Sequence, residues 1–556
     1  MRSRYLLCIL LIVLLPSSVV GDGANLRLAA AYKRLAPTPY MGWNTYYGLN
    51  TSFDEQTIKD AADAMVSTGM SAVGYRYIWL DGGWWSGARN ADGSIYVDPH
   101  QWPDGMQELT RYIHSRGLLA GIYTDGGRSG CGVPNYGSED HVQQDMDTFG
   151  EWGFDAVKID YCGGRGENLD PKMQYGKYRD AIVNNASGRP FLLNICDGIT
   201  GASNTAWQWG PSTGQSWRTS DDEDKWASGP QYGVLNSLDG NLRHPEVNGP
   251  GHWNDPDYLI PELHGLSLAE SRSQFSLWSM MAAPLIAGND IRHMPYEVKQ
   301  ILLNTEVIAV DQDPLGIEGT PVAEDVTGLQ VWSKKLSGSG CRAVALFNRT
   351  DDVAQMTLRF ADTGVTGRVR LRDLWNHADL GAFTGSYTTE VEPHATVMLK
   401  LSGGDEIPIT TVPQRDMMAS ATSFHTGNDP RTVLDDNVDT FWHSEYIPNT
   451  PLPQSITLSL GSERSINRLR YLPRNDGCPN GHILSYQVYV STDGVHFGDP
   501  VASGRWPDNT TEKKAVFPTV RASFVRLTAL EGVAGFASAA EINIDYVDRS
   551  KVVAHL

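Results

Sequence analysis

The 556-residue sequence predicts a multidomain protein in which a (β/α)8 barrel is followed by two all-β units. Between about residues 37 and 315, short apolar runs of strand-forming residues alternate with longer stretches of helical periodicity, a pattern typical of this barrel. From 318 to 402 apolar and polar residues alternate with period two, and the strand pattern continues over 416–548. A chain of this length is expected to form three or four domains, so three units account for it.

We assign residues 27–316 to the barrel. Helical periodicity is clear in Glu55–Ser67, Met106–Arg116 and Gln143–Trp152. The strands are predicted at Tyr40–Asn44, Tyr75–Asp81, Leu118–Asp125, Ala156–Asp160, Phe191–Cys196 and Ser216–Arg218, with two more near Trp253 and Pro284. Carboxylates gather where strands end, namely Asp81, Asp125, Asp160, Asp197, Asp222 and Asp255. Barrel active sites lie at that carboxyl-terminal face, so these positions predict the site.

The two units that follow the barrel are predicted to be antiparallel. Residues 318–402 form the first β domain, with strands such as Leu329–Ser333, Arg342–Phe347 and Thr396–Leu401. Residues 403–415 contain Gly403, Gly404, Pro408 and Pro413 and are predicted to be a linker. Residues 416–548 form the last unit.

The net charge limits the expected binding partners, and the amino-terminal residues indicate where the protein is located. The net charge is −20 and no Lys/Arg-rich run occurs, so neither nucleic acid nor an anionic membrane is an expected partner. Residues 1–22 combine Arg2 and Arg4, an apolar run too short to span a bilayer, and small residues, which indicates a signal peptide. We therefore expect a secreted, extracellular protein without a membrane span.

Two carboxylates at the barrel strand ends have neighbours that suit glycoside hydrolysis. This chemistry needs a pair of carboxyl groups, about 5–5.5 Å apart in a retaining enzyme. Lys158 precedes Asp160 by two residues on one strand face, where its charge can keep Asp160 ionised and donate to a sugar hydroxyl. Arg218 precedes Asp222 and can orient a hydroxyl through its guanidinium fork, with Asp221 as the alternative carboxylate.

Several motifs occur in the order found in glycoside hydrolase family 27, which contains α-galactosidases and α-N-acetylgalactosaminidases. The resemblance covers residues 37 to about 400. The motifs are Met41-Gly42-Trp43-Asn44, Lys158-x-Asp160, Arg218-x-x-x-Asp222, Trp253-Asn254-Asp255-Pro256-Asp257, Met281-Ala282-Ala283-Pro284 and Asp311-Gln312-Asp313-Pro314-Leu315-Gly316.

This resemblance implies a secreted retaining exo-glycosidase that removes terminal α-galactosyl residues without an organic cofactor. It makes Asp160 the nucleophile and Asp222 the acid/base, and it pairs Cys131 with Cys162 in a disulfide. The expected substrate contacts are Trp43 as a stacking wall, Asp255 closing the site, and Asp81, Trp84, Asp125, Lys158, Asp197, Arg218 and Trp253.

Two departures from the family pattern leave the sugar specificity open. At the second strand α-galactosidases carry two adjacent aspartates, whereas this chain has Asp81 followed by Gly82. At the fifth strand Asp197 stands where galactosidases have glutamate. Family members that act on β-L-arabinopyranosides or on isomaltose units of dextran are therefore alternatives. A catalytically inactive lectin is a more remote one, because a binding protein needs no paired acid and nucleophile.

The last unit resembles the discoidin-like, coagulation-factor C-type fold and its sugar-binding branch. The resemblance implies a jelly-roll sandwich that binds a polysaccharide or glycan. Its motifs are Leu434-Asp435-Asp436-Asn437, Thr440-Phe441-Trp442-His443-Ser444, Tyr471-Leu472-Pro473-Arg474, Val490-Ser491-Thr492-Asp493-Gly494 and Ala540-Glu541-Ile542. Candidate sugar-binding residues are His443, Arg474, Asn480 and Phe536. Candidate Ca2+ ligands, which offer the oxygens this cation prefers, are Asp435, Asp436, Thr440 and Glu541.

Overall fold

The computed structural model describes residues 35–197, 205–227 and 233–548. The predicted signal peptide, residues 1–22, lies outside the described residues. Within them, no helix has the length and apolar character needed to cross a bilayer.

The barrel is built on eight parallel strands in the order β7-β6-β5-β4-β3-β2-β1-β8. A parallel bridge between Leu259 and Ala287 joins the chain after β7 to β8 and so closes the barrel. The strands are β1 Met41–Asn44, β2 Tyr77–Trp79, β3 Leu119–Asp125, β4 Ala156–Asp160, β5 Leu192–Ile195, β6 Ser216–Arg218, β7 Trp253–Asp255 and β8 Leu285–Ala287. The predicted barrel is confirmed.

The longer helices cover the outside of this sheet, and several of them begin at a capping side chain. Asp54 caps its helix by accepting from Thr57 N–H, and Ser267 with Glu270 forms a capping box. The helices are α1 Tyr46–Leu49, α2 Glu55–Ser67, α3 Met106–Ser115, α4 Val142–Trp152, α5 Cys162–Gly166, α6 Pro171–Val183, α7 Ala206–Trp209, α8 Val234–Asn241, α9 Leu268–Met281, α10 Tyr296–Leu302 and α11 Thr305–Asp311.

The first β domain has a six-stranded antiparallel sheet in the order β15-β14-β17-β11-β10-β9 and a hairpin of β12 with β16. Its central strand β11 is buried along its whole length. The strands are β9 Thr320–Glu324, β10 Leu329–Lys335, β11 Arg342–Asn348, β12 Ala354–Arg359, β13 Val365–Thr366, β14 Arg368–Asp373, β15 Ala378–Thr384, β16 Ser386–Val391 and β17 Thr396–Ser402.

The predicted linker 403–415 is anchored at both ends. Strand β18 (Asp405–Glu406) pairs with β13 of the β domain, and β19 (Ile409–Thr411) pairs with β27 of the last domain. The segment therefore joins the two domains through backbone hydrogen bonds and does not act as a free tether.

The last domain, which we call the module, is an antiparallel sandwich with its own apolar core. Its long strands β22 and β25 pair along most of their length. The strands are β20 Met418–Ala421, β21 Trp442–His443, β22 Gln454–Leu472, β23 Ile483–Ser491, β24 Ala502–Arg505, β25 Lys513–Gly532, β26 Ser538–Ala539 and β27 Glu541–Val547.

Buried polar contacts hold the module against the β domain. Lys513 Nζ lies 3.5 Å from a carboxylate oxygen of Glu324, and both side chains are almost fully buried. Arg468 Nη2 donates to the Asp362 carbonyl at 3.1 Å. Breaking such buried contacts leaves charges unpaired, so this docking has a defined geometry.

Candidate active site

Asp160 ends β4 at the carboxyl face of the barrel, and its carboxylate is held by fixed donors. Tyr123 Oη donates to Oδ2 at 3.0 Å, and the Tyr161 backbone N–H donates to Oδ1 at 2.9 Å. The Cys131 sulfur lies 3.4 Å from Oδ2. The orientation of the carboxylate is thus fixed by a side chain of strand β3 and by the backbone N–H of the next residue, Tyr161.

Lys158 lies two residues earlier on β4, on the same strand face. Its Nζ donates to Asp81 Oδ2 at 2.9 Å, and Asn44 Nδ2 donates to the same oxygen at 2.8 Å. Burial lowers the pKa of Lys158, but the charge of Asp81 opposes it and the net pKa is raised well above its ordinary value. For Asp81, burial raises the pKa, yet Lys158 and the Gly82 N–H lower it overall. Both groups therefore stay charged near neutral pH.

Burial raises the pKa of Asp160, the Lys158 charge lowers it, and the Asp222 and Asp81 charges raise it again. The net shift is upward. The two predicted catalytic carboxylates are thus close enough for the charge of Asp222 to act on the pKa of Asp160.

Arg218 ends β6 and connects Asp222 to a further carboxylate, Asp257. Its Nη2 donates to Asp222 Oδ1 at 3.2 Å, and its Nη1 lies 3.1 Å from Asp257 Oδ1. Tyr47 Oη and the Glu223 N–H both donate to Asp257 Oδ2. The Asp222 side chain is 56% exposed, whereas Arg218 is only 3% exposed. This contact with Arg218 favours Asp222 over Asp221 as the acid/base.

Sequence reasoning missed the aromatic residues that lie beside these charged groups. Tyr46 is 39% exposed, and Lys158 Nζ lies 5.8 Å from its ring centre. Burial, followed by the Asp222 charge, raises the pKa of Tyr46 to about 12. The Lys158 ammonium is also 5.0 Å from the Tyr258 ring. Tyr46, with its exposed ring, is the better candidate for a wall against which a sugar packs.

Three predicted tryptophan contacts are corrected by their burial. Trp43 and Trp253 have no exposed surface, and Trp84 is 1% exposed. Each indole N–H donates to a backbone carbonyl, at Asn289, Ala36 and Tyr123 respectively. They pack in the core and offer no ring face to a substrate.

Two predicted aspartate contacts are corrected as well. Asp125 is fully buried and accepts from the backbone N–H groups of Gly127, Gly163 and Gly164, so it caps α5 and ties the loop after β3 to the loop after β4. Asp255 accepts from Asn194 Nδ2 at 2.7 Å and from the Asp257 N–H at 3.0 Å. Both carboxylates hold the loops and strands around the site in place. Asp257, and not Asp255, lies beside Arg218.

Two further positions lie at the edge of what the structure describes. Asp197 is 1% exposed at the end of β5, immediately before the undescribed residues 198–204, and its substrate contact stays a prediction. Around Gly82, a Cβ atom built on the backbone would meet nothing within 4 Å. The position that departs from the family pattern therefore has open space beside Asp81.

The predicted disulfide between Cys131 and Cys162 is confirmed. Its Cα atoms are 5.0 Å apart, and the bond joins the loops after β3 and β4 next to Asp160. The cysteines at 196, 341 and 478 are free. The described residues contain one cluster of metal-ligand type, Asp125, Cys131, Asp160 and Cys162. Two of its members form the disulfide, so it does not suit a metal.

In the module, the four candidate sugar-binding residues lie near one another. The His443 ring is 5.3 Å from that of Phe536, and burial followed by the Arg474 charge lowers the pKa of His443. The Asn480 carbonyl accepts from Ser538, which pairs with His443. His443 is only 3% exposed, however.

Sequence reasoning missed Tyr446 at this end of the module. Its ring is 38% exposed and stacks on His425 with 3.7 Å between ring centres. An exposed aromatic ring held by a neighbour is better placed than buried His443 to meet a sugar.

The predicted Ca2+ ligands bond to one another or to neighbouring side chains, and a cation site there stays a prediction. The Asp435 carboxylate accepts from Thr440 Oγ1, and Glu541 Oε2 accepts from Gln414 Nε2 at 2.6 Å. The carboxylates of Asp435, Asp436 and Glu541 do not form a group whose oxygens all lie within 4.8 Å of one another. Burial raises the pKa of Glu541 to about 8; the Gln414 hydrogen bond opposes this rise, and the charges of Asp435 and Asp436 add to it.

Family models match each of the three domains. Residues 44–313 match the model described as "Alpha galactosidase A", 326–401 match the "Alpha galactosidase C-terminal beta sandwich domain", and 418–542 match the "F5/8 type C domain".

Two curated relatives and one solved structure each match about two thirds of the chain. A probable alpha-galactosidase of Dictyostelium discoideum is 40% identical over 66% of this chain and 93% of its own length. An alpha-galactosidase of Oryza sativa subsp. japonica is 37% identical over 68% of this chain and 89% of its own length. The crystal structure of alpha-galactosidase I from Mortierella vinacea aligns with a TM-score of 0.63 and 29% identity, covering 67% of this chain and 98% of that one. The chain therefore belongs to the α-galactosidase-type glycosidases of glycoside hydrolase family 27, with an F5/8 type C domain at its carboxyl end.

Proposed function

We propose that this enzyme removes terminal α-galactosyl residues from oligo- or polysaccharides with retention of configuration, using Asp160 as nucleophile and Asp222 as acid/base. The observation that carries the proposal is the pairing of a partly buried carboxylate, held by fixed donors, with an exposed one on Arg218. The names of the relatives support galactose as the sugar that is removed.

In the first step Asp222 gives its proton to the glycosidic oxygen while Asp160 attacks the anomeric carbon. The bond to the leaving alcohol breaks, and an ester bond forms between the sugar and Asp160. In the second step Asp222 takes a proton from water, the water oxygen attacks the anomeric carbon, and the ester bond breaks. Atoms balance with water alone, so these steps use no cofactor.

The buried charges position the sugar for these steps. Lys158 and Asp81 stay ionised near neutral pH and sit on the same side of the site as Asp160. Each of them can also bond a sugar hydroxyl, because the ammonium has further donors and the carboxylate has further acceptor sites. Arg218 offers its fork from the opposite side, next to Asp222.

A shifted specificity, toward β-L-arabinopyranosides or isomaltose units, is the second candidate, and the open space at Gly82 favours it. A second aspartate there would accept from the C4–C6 side of galactose, and glycine has no side chain to do so. A glycine also leaves no buried polar group unpaired when a different sugar binds, so it discriminates weakly.

We further propose that the protein is secreted and that the module binds glycans through the end that carries Tyr446 and His425. The signal-like residues 1–22 and the Cys131–Cys162 disulfide support an extracellular location. The partly exposed aromatic pair supports a sugar-binding surface.

A panel of nitrophenyl α-galactoside, β-L-arabinopyranoside and α-glucoside tests the proposal, with proton NMR of the released sugar to establish its configuration. We expect α-galactoside turnover that first releases the α-anomer. Release of the β-anomer would contradict retention. Absence of turnover on every substrate, with the protein folded, would favour the lectin alternative.

A further inference from the structure

A cleft of about 760 Å3 lies where the barrel, the β domain and the module meet, and the catalytic mechanism does not use it. Trp207 on α7 and the segment after α8, including Arg243, form the barrel wall. Glu541 of β27 contributes to the module wall, and Thr320 of β9 lies on the β-domain side. The volume is in the range of small-molecule sites in proteins, about 300–1,000 Å3.

An aromatic surface forms part of the barrel wall. The Trp207 indole stacks on His244 with 3.8 Å between ring centres and 13° between planes. The indole is only partly buried, so the stack fixes its orientation beside the cleft. A rigid, partly exposed indole is suited to contact with the C–H face of a sugar ring.

The charges along the cleft largely neutralise one another. Arg470 pairs with Glu512 at 3.0 Å, and Lys514 lies 3.8 Å from the other Glu512 oxygen. His244 pairs with Glu246 at 2.9 Å. These pairs neutralise much of the charge along the cleft, which leaves room for a neutral ligand between them.

Two wall residues have polar atoms whose hydrogen-bonding capacity is unused. Arg243 Nη1 and Glu541 Oε1 are buried and have no hydrogen-bond partner among the residues that the structure describes. A buried polar atom without a partner costs about 1–3 kcal/mol. One of these atoms is a guanidinium donor and the other a carboxyl oxygen, and a rotation of either side chain toward the cleft would let a ligand hydroxyl bond it.

The cleft lies away from the catalytic carboxylates. Its barrel wall includes the segment 242–247, which leads into β7 and therefore lies toward the amino ends of the strands. Asp160 lies at the carboxyl ends. A ligand in the cleft would leave the active site free.

From these features we propose that the cleft binds a segment of neutral oligosaccharide, forming a second carbohydrate site that the barrel and the module build together. The identity of the ligand class rests on the proposed glycosidase function. Holding a distant part of a polymer raises the effective concentration of its ends at the active site, without altering the hydrolysis of small glycosides.

The test uses the full-length chain with Asp160→Asn, which stops turnover, and follows hydrogen exchange by mass spectrometry with raffinose or isomaltotriose as probe. We expect sugar-dependent protection of 242–247 and 541–547. Arg243→Met should raise the sugar concentration needed for that protection about tenfold, as expected for a hydrogen bond to a charged group. The isosteric Glu541→Gln should raise it by less, because the carboxyl with its raised pKa makes an ordinary hydrogen bond. Arg368→Met replaces an exposed arginine of the β domain and should change nothing.

Protection that appears only near 158–162 or near 443–447 would overturn the second site and leave the proposed function intact. Protection of the cleft in a protein that hydrolyses no member of the glycoside panel would support the site and contradict the proposed function. If Ca2+ added to EDTA-treated protein protects the cleft and neither sugar does, the cleft is a cation site and the proposal is wrong.

In the Asp160 form of the enzyme, Arg243→Met should keep the nitrophenyl glycoside kcat/KM and lose activity on polymer. Equal losses on both would also overturn it.

Discussion

The two catalytic carboxylates lie in opposite kinds of environment. Asp160 is held by Tyr123 and by the Tyr161 backbone N–H, beside a disulfide and on the same strand as Lys158, which pairs with buried Asp81. Asp222 contacts Arg218 and has 56% of its side chain exposed. A nucleophile gains from a fixed direction of attack, whereas an acid/base must exchange its proton with solvent in each cycle. The difference in confinement thus matches the difference in proposed role.

The largest expected effect comes from removing the confined carboxylate. Asp160→Asn keeps the size of the side chain but removes the nucleophile, and kcat should fall about 10^4-fold or more, as for the loss of other catalytic nucleophiles. Steady-state kinetics with nitrophenyl α-galactoside measure this. Asp499→Asn, at an exposed aspartate of the module, is the matched control and should be neutral. Near-native turnover by Asp160→Asn would mean that another group attacks the sugar.

Removing the exposed carboxylate should have a smaller effect that depends on the leaving group. Asp222→Asn should slow poor leaving groups about 10^2- to 10^4-fold, because general acid catalysis is lost. A dinitrophenyl galactoside needs little protonation, so its first step should stay close to normal and a burst should precede slow turnover. Rapid-quench kinetics with alkyl and dinitrophenyl galactosides make the comparison. Equal losses for both would assign the acid to another group, with Asp221→Asn as the next variant.

The third prediction concerns the charge that opposes the upward pKa shift of Asp160. Asp160 must be ionised to attack, so activity falls as the pH drops through its pKa. Burial raises this pKa and Lys158 lowers it, and Lys158→Met should therefore move the acidic limb of the kcat/KM profile to higher pH. At neutral pH the loss of a charged hydrogen bond to substrate should cost about 10- to 100-fold.

Lys158→Met also leaves the Asp81 carboxylate buried without its cation, so we expect a loss of about 3–5 kcal/mol of stability in thermal or denaturant unfolding. Lys172→Met, at an exposed lysine of α6, controls for the general loss of charge. An acidic limb that stays in place would show that the profile reports a group other than Asp160.

Much of the catalytic pair could be predicted from the sequence, because an apolar run followed by a charge marks the end of a buried strand. Asp160 and Arg218 end their strands and follow that rule, whereas Asp222, four residues after β6, was identified through the family motif. The tryptophans do not follow the rule. Asn44 reaches inward to Asp81, so the neighbouring Trp43 points outward by strand alternation, and its indole bonds Asn289. That alternation was available in the sequence.

Other contacts depend on tertiary structure that no local pattern encodes. Tyr46 lies in a short helix after β1, where no strand rule places its ring. Asp255 and Asp257 share one motif, and only the position of Asn194 decides which of them bonds inward and which reaches Arg218. The domain limits, by contrast, follow changes of periodicity that extend over tens of residues.

The smallest effect is expected at Gly82, where the chain departs from its family. The backbone there lies outside the left-handed region, and a Cβ would meet nothing within 4 Å, so Gly82→Asp should fold. Its neighbour Gly83 has φ +103° and a Cβ there would lie 2.6 Å from the Thr51 backbone, so a change at that position should not be tolerated. The new carboxylate would stand beside Asp81, whose repulsion is partly offset by Lys158. It should accept from the C4–C6 side of galactose, and the ratio of kcat/KM for α-galactoside over β-L-arabinopyranoside should rise about tenfold, the lower end for a charged hydrogen bond. An unchanged ratio in a folded, active variant would mean that another residue already recognises the C4–C6 side of the sugar. The part of the site around Asp81 and Lys158 would then be selective without a second aspartate.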